Sequence, residues 1–227
     1  MIRTLFSFSG FLLLFFPMSM AAKTERFDMR DGALRNLVQF VSDALLEKTV
    51  GLSNGVSGWM ELDPEKLATG MRGEWEVDVR TFDTEIEPRN EHIRDKVLLA
   101  PEFPLATFTL QKVLSVSKPR LFDLQPVAVR LEGILKVKGI AVTQTILMKL
   151  TYLPESAETI RRLPGNLLKV NATFDVDTAQ FNITIPEPFK GRFSRFIQVT
   201  ADVMGTDRPL LLGGKSPGES SSSGRGK

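Results

Sequence analysis

The chain has 227 residues, 42% hydrophobic and 25% charged, with 29 Lys+Arg against 27 Asp+Glu and a formal net charge of +2; this is the balance of a folded globular domain and excludes wholesale disorder. Cysteine is absent and histidine occurs once, at His92, which excludes disulfides, thiol nucleophiles, and zinc centres built on cysteines or on two or three histidines. Any Ser-His-Asp arrangement would have to use His92, and these absences move the expectation from catalysis toward binding.

Arg3 and the apolar run Leu5 to Phe16 open the chain, followed by Pro17-Met18-Ser19-Met20-Ala21-Ala22. As a helix that run of 12 residues would reach roughly 18 Å, short of the ~30 Å hydrocarbon core. Ser19 and Ala21 fit the small-x-small rule for signal peptidase, so residues 1–22 are expected to be a cleaved secretory signal. The mature chain is then expected outside the cytoplasm as a single domain over 23–210. Residues 211–227, rich in Gly, Ser and Lys, are expected to be a disordered tail.

Within the domain, Leu34, Leu37, Val38, Val41 and Leu45 recur at helical spacing with Asp31 as a possible cap, so periodicity alone predicts a helix there. From Gly73 to Thr81 the period is two: Trp75, Val77 and Val79 alternate with Glu74, Glu76, Asp78 and Arg80. Glu87 to Arg94 carries Pro88 at a first helical position and charges throughout, the pattern of a short surface helix. Val127, Val129, Leu131, Leu135 and Val137 form the next stripe, and Gly133 within it suggests a bulge or tight bend. Lys138-Gly139 reads as a turn into Ala141 to Tyr152, where Ile146, Met148, Leu150 and Tyr152 share a side. Leu168, Val170, Ala172, Phe174 and Val176 form another stripe, and Ile197, Val199, Ala201 and Val203 the last. Strands at this spacing predict an antiparallel sandwich or barrel with one apolar face turned inward.

Charge is uneven along the chain. Residues 23–100 hold 11 Lys+Arg and 16 Asp+Glu, whereas 101–227 hold 17 and 11. The basic half includes Arg161-Arg162 and Lys190-Gly191-Arg192 with Arg195, which would suit a pyrophosphate headgroup or an anionic membrane surface. A near-neutral mature chain gives no footprint for nucleic acid. No G-x-S-x-G, H-E-x-x-H, G-x-G-x-x-G or phosphate-loop motif occurs, so no catalytic and no metal-ligating residues are assigned. His92 beside Glu91 is the one place a hydrolase or lone metal ligand would start. Its segment reads more simply as a helix held by Arg89 and Arg94 pairing with neighbouring acids.

Three stretches together resemble one family. Phe82-Asp83-Thr84, Arg89-Asn90-Glu91-His92-Ile93-Arg94, and Phe103-Pro104 with Thr107-Phe108 are similar to the signature of the YceI-like family. Leu131-Glu132-Gly133-Ile134-Leu135-Lys136-Val137-Lys138-Gly139-Ile140 resembles its central strand–turn–strand. Phe174, Phe181-Asn182-Ile183 and Pro186 before a final strand resemble its C-terminal part. Order and spacing agree over roughly residues 27–206. Two departures stand out: Asp43-Ala44 stands where many members carry a histidine, and Asn182 where a turn glycine is usual, a residue that tolerates positive φ.

The resemblance implies a mainly β fold, an eight-stranded antiparallel lipocalin-like β-barrel with a short helix near residues 88–95, exported to the periplasm. It makes Asn36 to Val41 a strand, against the helical spacing. It also implies that the barrel binds, sequesters or transports an amphiphilic isoprenoid-type lipid, a quinone or polyprenyl chain, with no other cofactor. The expected apolar lining is Phe40, Trp75, Val77, Val79, Phe108, Leu110, Val129, Leu131, Leu135, Ile146, Met148, Phe174, Val176 and Phe181. An eight-stranded barrel either holds one small ligand or is filled by its own side chains, and a filled barrel would instead make this an envelope protein acting through a surface partner. Connections around 95–104 and 154–166 are the expected mouth. A transient membrane contact and a monomer or homodimer complete the expectation.

Overall fold

The computed structural model describes residues 23–208 apart from Pro186; the expected signal segment and the Gly/Ser tail lie outside the described residues. Ten strands follow in order: β1 (Glu25–Asp28), β2 (Leu37–Asp43), β3 (Lys48–Ser53), β4 (Val56–Leu62), β5 (Arg72–Asp78), β6 (Leu105–Val116), β7 (Pro126–Val137), β8 (Ile140–Leu153), β9 (Leu167–Asp177) and β10 (Phe196–Thr206). One helix, α1 (Glu87–His92), sits between β5 and β6 and runs on into a π-turn over Ile93–Val97.

Eight strands form a closed antiparallel barrel in the order β1-β4-β5-β6-β7-β8-β9-β10, and the ring shuts where Asp28 meets Thr206. The hairpin β2–β3 is extra. It lies on the same edge of β10, pairing Ser42 with Ile197 through Leu37 with Asp202. The first strand of the barrel is thus interrupted. At the break, Asn36 is 1% exposed; its amide donates to the Met29 carbonyl (2.6 Å) and its Oδ1 accepts from the Met204 amide (2.9 Å). Those bonds tack the interruption onto β10.

This arrangement settles the helical spacing around residue 38. β2 is a strand, with Val38 and Phe40 turned inward, while Leu34 and Leu45 are 63% and 91% exposed. The backbone ladder to β10 outweighs the side-chain period. Asp31 caps no helix. Its carboxylate accepts from the Ala33 amide (3.0 Å) and from Arg35 (2.9 Å), and Arg162 lies 3.1 Å away.

Burial raises the Asp31 pKa, but the Arg35 and Ala33 hydrogen bonds and the Arg162 charge outweigh it, so the carboxyl titrates below its ordinary value. Because the folded pKa is depressed, its stabilisation is present above the unfolded value and lost as pH falls through the folded one. Asp31→Asn is therefore expected to cost about 2 kcal/mol at pH 7. Urea midpoints measured against pH should show the two proteins converging below about pH 4.

β5 ends at Asp78 and not at Thr81, because the Asp78 carboxylate accepts from the Arg80 amide (3.0 Å) and starts a 3-10 turn over Val79–Thr81. The β7–β8 hairpin turns on Lys138 (φ 51°) and Gly139 (φ 76°), the backbone that a two-residue primed turn requires. Gly133 marks no bulge in β7. The register shifts lie opposite, in β6, between Leu110 and Lys112 and between Val113 and Ser115. Gly133 instead makes room for Phe108: a Cβ there would stand 2.4 Å from the Phe108 ring and 2.5 Å from the Thr109 carbonyl. Gly133→Ala is expected to cost about 2 kcal/mol, since backbone cannot yield as a flexible side chain does; chemical denaturation reads this directly.

Candidate functional site: a half-hollow barrel

The two ends of the barrel differ. One end, called lower here, carries the β4–β5, β6–β7 and β8–β9 connections. Its interior is packed solid by Phe27, Met60, Leu62, Val127, Leu150 and Leu168, all 0% exposed. Leu67 and Leu121 stopper it, and their loops are stitched together by Leu67 N–H to Pro119 O (2.9 Å) and Leu121 N–H to Pro64 O (2.7 Å).

The upper end carries the β2–β3 turn, the β5–β6 connection with α1, the β7–β8 hairpin and the β9–β10 connection. Inside it lies a cavity of about 210 Å³. Trp75 and Phe108, 6.1 Å apart, line its inner end, and the Trp75 indole N–H donates to the Met29 sulfur (3.1 Å) in the packed half. Along β9 the wall runs from Val170 to Val176. At about 3.3 Å per residue and a strand tilt near 40°, that wall is about 15 Å deep. Among the described residues no ionisable side chain lines the cavity; Thr107 and Thr178 supply its hydroxyls, and Thr178 already donates to the Arg195 carbonyl (3.0 Å).

Of the sequence-predicted lining, the structure brings Phe40, Trp75, Val77, Val79, Phe108, Leu135, Ile146, Met148, Phe174, Val176 and Phe181 together on this cavity. Leu110, Val129 and Leu131 do not reach it. They lie below Trp75 and Phe108 in the packed half, at 6%, 0% and 0% exposure. A stripe of period two tells which face a residue takes, not how far down the hollow extends. Val79 reaches the cavity from the 3-10 turn and not from a strand.

Sequence reasoning did not place Phe82, Ile93, Val97, Leu98 or Phe193, which close the cavity from above. Each is a large apolar residue in a charged, non-periodic stretch, and that mismatch was the available signal. α1 is accordingly more than a surface helix. Ile93 is 6% exposed and packs with Phe40 and Ile197. Asn90 anchors the turn below it, accepting from the Thr84 amide (2.8 Å) and donating to Asp83 (2.8 Å). Arg94 pairs with Glu87, while Arg89 reaches across to Glu47 (2.7 Å).

Above these residues a second space of about 410 Å³ opens; its wall is mostly apolar, with Ile86, Ile185 and Phe189 among its residues, and is punctuated by Glu47, Thr49, Arg89, His92, Thr184 and Arg192. It meets the cavity at Ile93, Val97, Ile183 and Phe193, which line both. The 95–104 connection therefore lies at the mouth. The 154–166 connection does not: it belongs to the closed lower end, where Arg162 pairs with Asp31. The basic residues split likewise, with Arg161-Arg162 below and Lys190, Arg192 and Arg195 above.

An eight-stranded antiparallel barrel, stoppered at one end and hollow and apolar at the other, belongs to the lipocalin-like class. A model of the YceI-like domain matches residues 33–204, and the chain belongs to that family. The fold is similar to Burkholderia cenocepacia BcnA, at 21% identity and TM-score 0.59 over 76% of this chain and 97% of that one. It is similar also to a polyisoprenoid-binding domain from Saccharophagus degradans, implicated in plant cell wall breakdown, at 14% identity and TM-score 0.57 over 81% and 99%. The Campylobacter jejuni YceI protein aligns at 14% identity and TM-score 0.53 over 68% and 82%. No curated protein matches the sequence.

Proposed function

We propose that this protein is a non-enzymatic periplasmic carrier that binds an amphiphilic lipid with an isoprenoid-type tail, a quinone or polyprenyl chain, inside the upper half of the barrel. The carrying observation is the cavity whose wall, among the described residues, offers two threonine hydroxyls and no charge. A tail buried there gains roughly 25 cal/mol per Å² of apolar surface and asks for no hydrogen bond. The few polar groups in the space above the mouth support the same reading, because a ligand site of this kind fixes orientation with a few polar groups at its rim. The packed lower half limits how much tail fits, so a long chain has its far part outside or folded back at the mouth. That the Saccharophagus degradans domain of like fold is described as polyisoprenoid-binding agrees with this. The hollow favours carriage over action through a surface partner alone.

Native mass spectrometry of protein recovered from its own periplasm tests the reading. A stoichiometric adduct that extracts as a prenyl lipid is the expected result. A bare mass that stays unchanged after incubation with quinones and polyprenyl phosphates would sink it.

A further inference from the structure

We infer that the few polar groups in the space above the mouth form a headgroup site that selects a single negative charge, a carboxylate being the simplest such group. The inference rests on the tail-in-barrel reading and adds to it the chemistry of the other end of the ligand. The space is contiguous with the cavity at Ile93, Val97, Ile183 and Phe193, so a tail that enters the barrel leaves its headgroup among Glu47, Thr49, Arg89, His92, Thr184 and Arg192.

The charges in that set do not cancel. Arg89 is spent inside the protein: its Nη1 donates to Glu47 (2.7 Å), its Nε to the Thr84 hydroxyl (2.8 Å) and its Nη2 to the Thr84 carbonyl (2.8 Å). Glu47 is neutralised by the same contact. Arg192 is different. Among the described residues its guanidinium has no hydrogen-bond or ion-pair partner, whereas Arg94, Lys190 and Arg195 at the same end pair with Glu87, Glu187 and Asp177.

The backbone that carries Arg192 is held in place. The Arg192 amide donates to the Phe189 carbonyl (3.0 Å), and the Gly191 carbonyl accepts from the Leu46 amide (2.7 Å), tying this loop to the β2–β3 turn. Gly191 sits at φ 81°, a conformation that favours glycine in such a turn. The His92 ring lies tilted against Phe189 at 5.1 Å, and among the described residues its ring nitrogens are unpartnered, leaving an N–H to donate. A guanidinium fork free of internal partners, sharing one wall with a ring N–H and an apolar rim, suits a planar carboxylate. One net positive charge neutralises one negative charge. A pyrophosphate would leave negative charge uncompensated.

The test uses one tail and three heads: geranylgeranoic acid, geranylgeraniol and geranylgeranyl pyrophosphate, titrated into the intact protein at pH 7.5 by calorimetry. The acid is expected to bind about tenfold tighter than the alcohol, the size of one charge-assisted contact, and tighter than the pyrophosphate. Arg192→Gln is expected to erase the acid's advantage while leaving the alcohol's affinity unchanged. Equal affinity for acid and alcohol in the unmodified protein, a persisting acid preference in Arg192→Gln, or tightest binding of the pyrophosphate would each overturn the headgroup assignment and leave the tail cavity standing. Failure of all three to bind would overturn both.

Discussion

Ala172→Phe is expected to weaken binding of a lipid tail about a hundredfold while the barrel stays folded. Ala172 is 7% exposed on the cavity wall and pairs with Ala201 on β10 and Met148 on β8, both also lining the cavity, so a larger side chain there enters the hollow. A phenyl ring there displaces about 100 Å² of tail contact, which at ~25 cal/mol per Å² is about 2.5 kcal/mol of affinity. Filling a hollow adds contacts to the protein itself, so the thermal midpoint should hold or rise. Ala201→Phe provides the same test from the neighbouring strand if Ala172→Phe strains β9. Undiminished affinity in both variants, with native circular dichroism, would mean that the tail does not lie in the barrel.

The second large effect is a contrast between the halves. Phe27→Ala should cost 3–5 kcal/mol, because Phe27 is 0% exposed and packs edge-on against Tyr152 at 6.4 Å in the solid half, where removal leaves an unrelaxed void. Phe174→Ala should cost about 1 kcal/mol or less, since that ring already borders empty space and has fewer atoms to lose contact with. Urea unfolding of the two variants in delipidated protein reads the difference. Equal costs would contradict a barrel packed at one end and hollow at the other.

Much of the fold was legible because period-two stripes survive wherever one face of a strand is buried. The Lys138-Gly139 turn, the β7 to β10 faces and the helix after Pro88 all follow from local chemistry. The family resemblance, not periodicity, read Asn36 to Val41 as the strand that the structure has over Leu37–Asp43, since the partner that makes it a strand is β10, about 160 residues further along the chain. The boundary between packed and hollow was not legible. It depends on Trp75, Phe108 and Met29 from three separate strands and loops meeting at one level, and no local pattern in β6 or β7 records where Leu110 and Leu131 sit relative to that level. The mouth was half legible: the 95–104 connection was placed there, but the role of Ile93 and Phe193 needed the fold.

The closure of the ring sets an order of events in folding. Both halves of the interrupted first strand are secured by β10: Asp28 by Thr206, and β2 by the ladder from Ile197 to Asp202. Until β10 is present, β2 and β9 each expose an unpaired edge, the kind of edge on which other chains add. Contacts so distant along the sequence form slowly because their loop entropy must be overcome before they reward it. β10 therefore acts as the latch of the barrel: a chain stopped short of Phe196 is expected to be an open sheet prone to aggregate, with the hollow formed only once β10 has zipped onto β9 and β2.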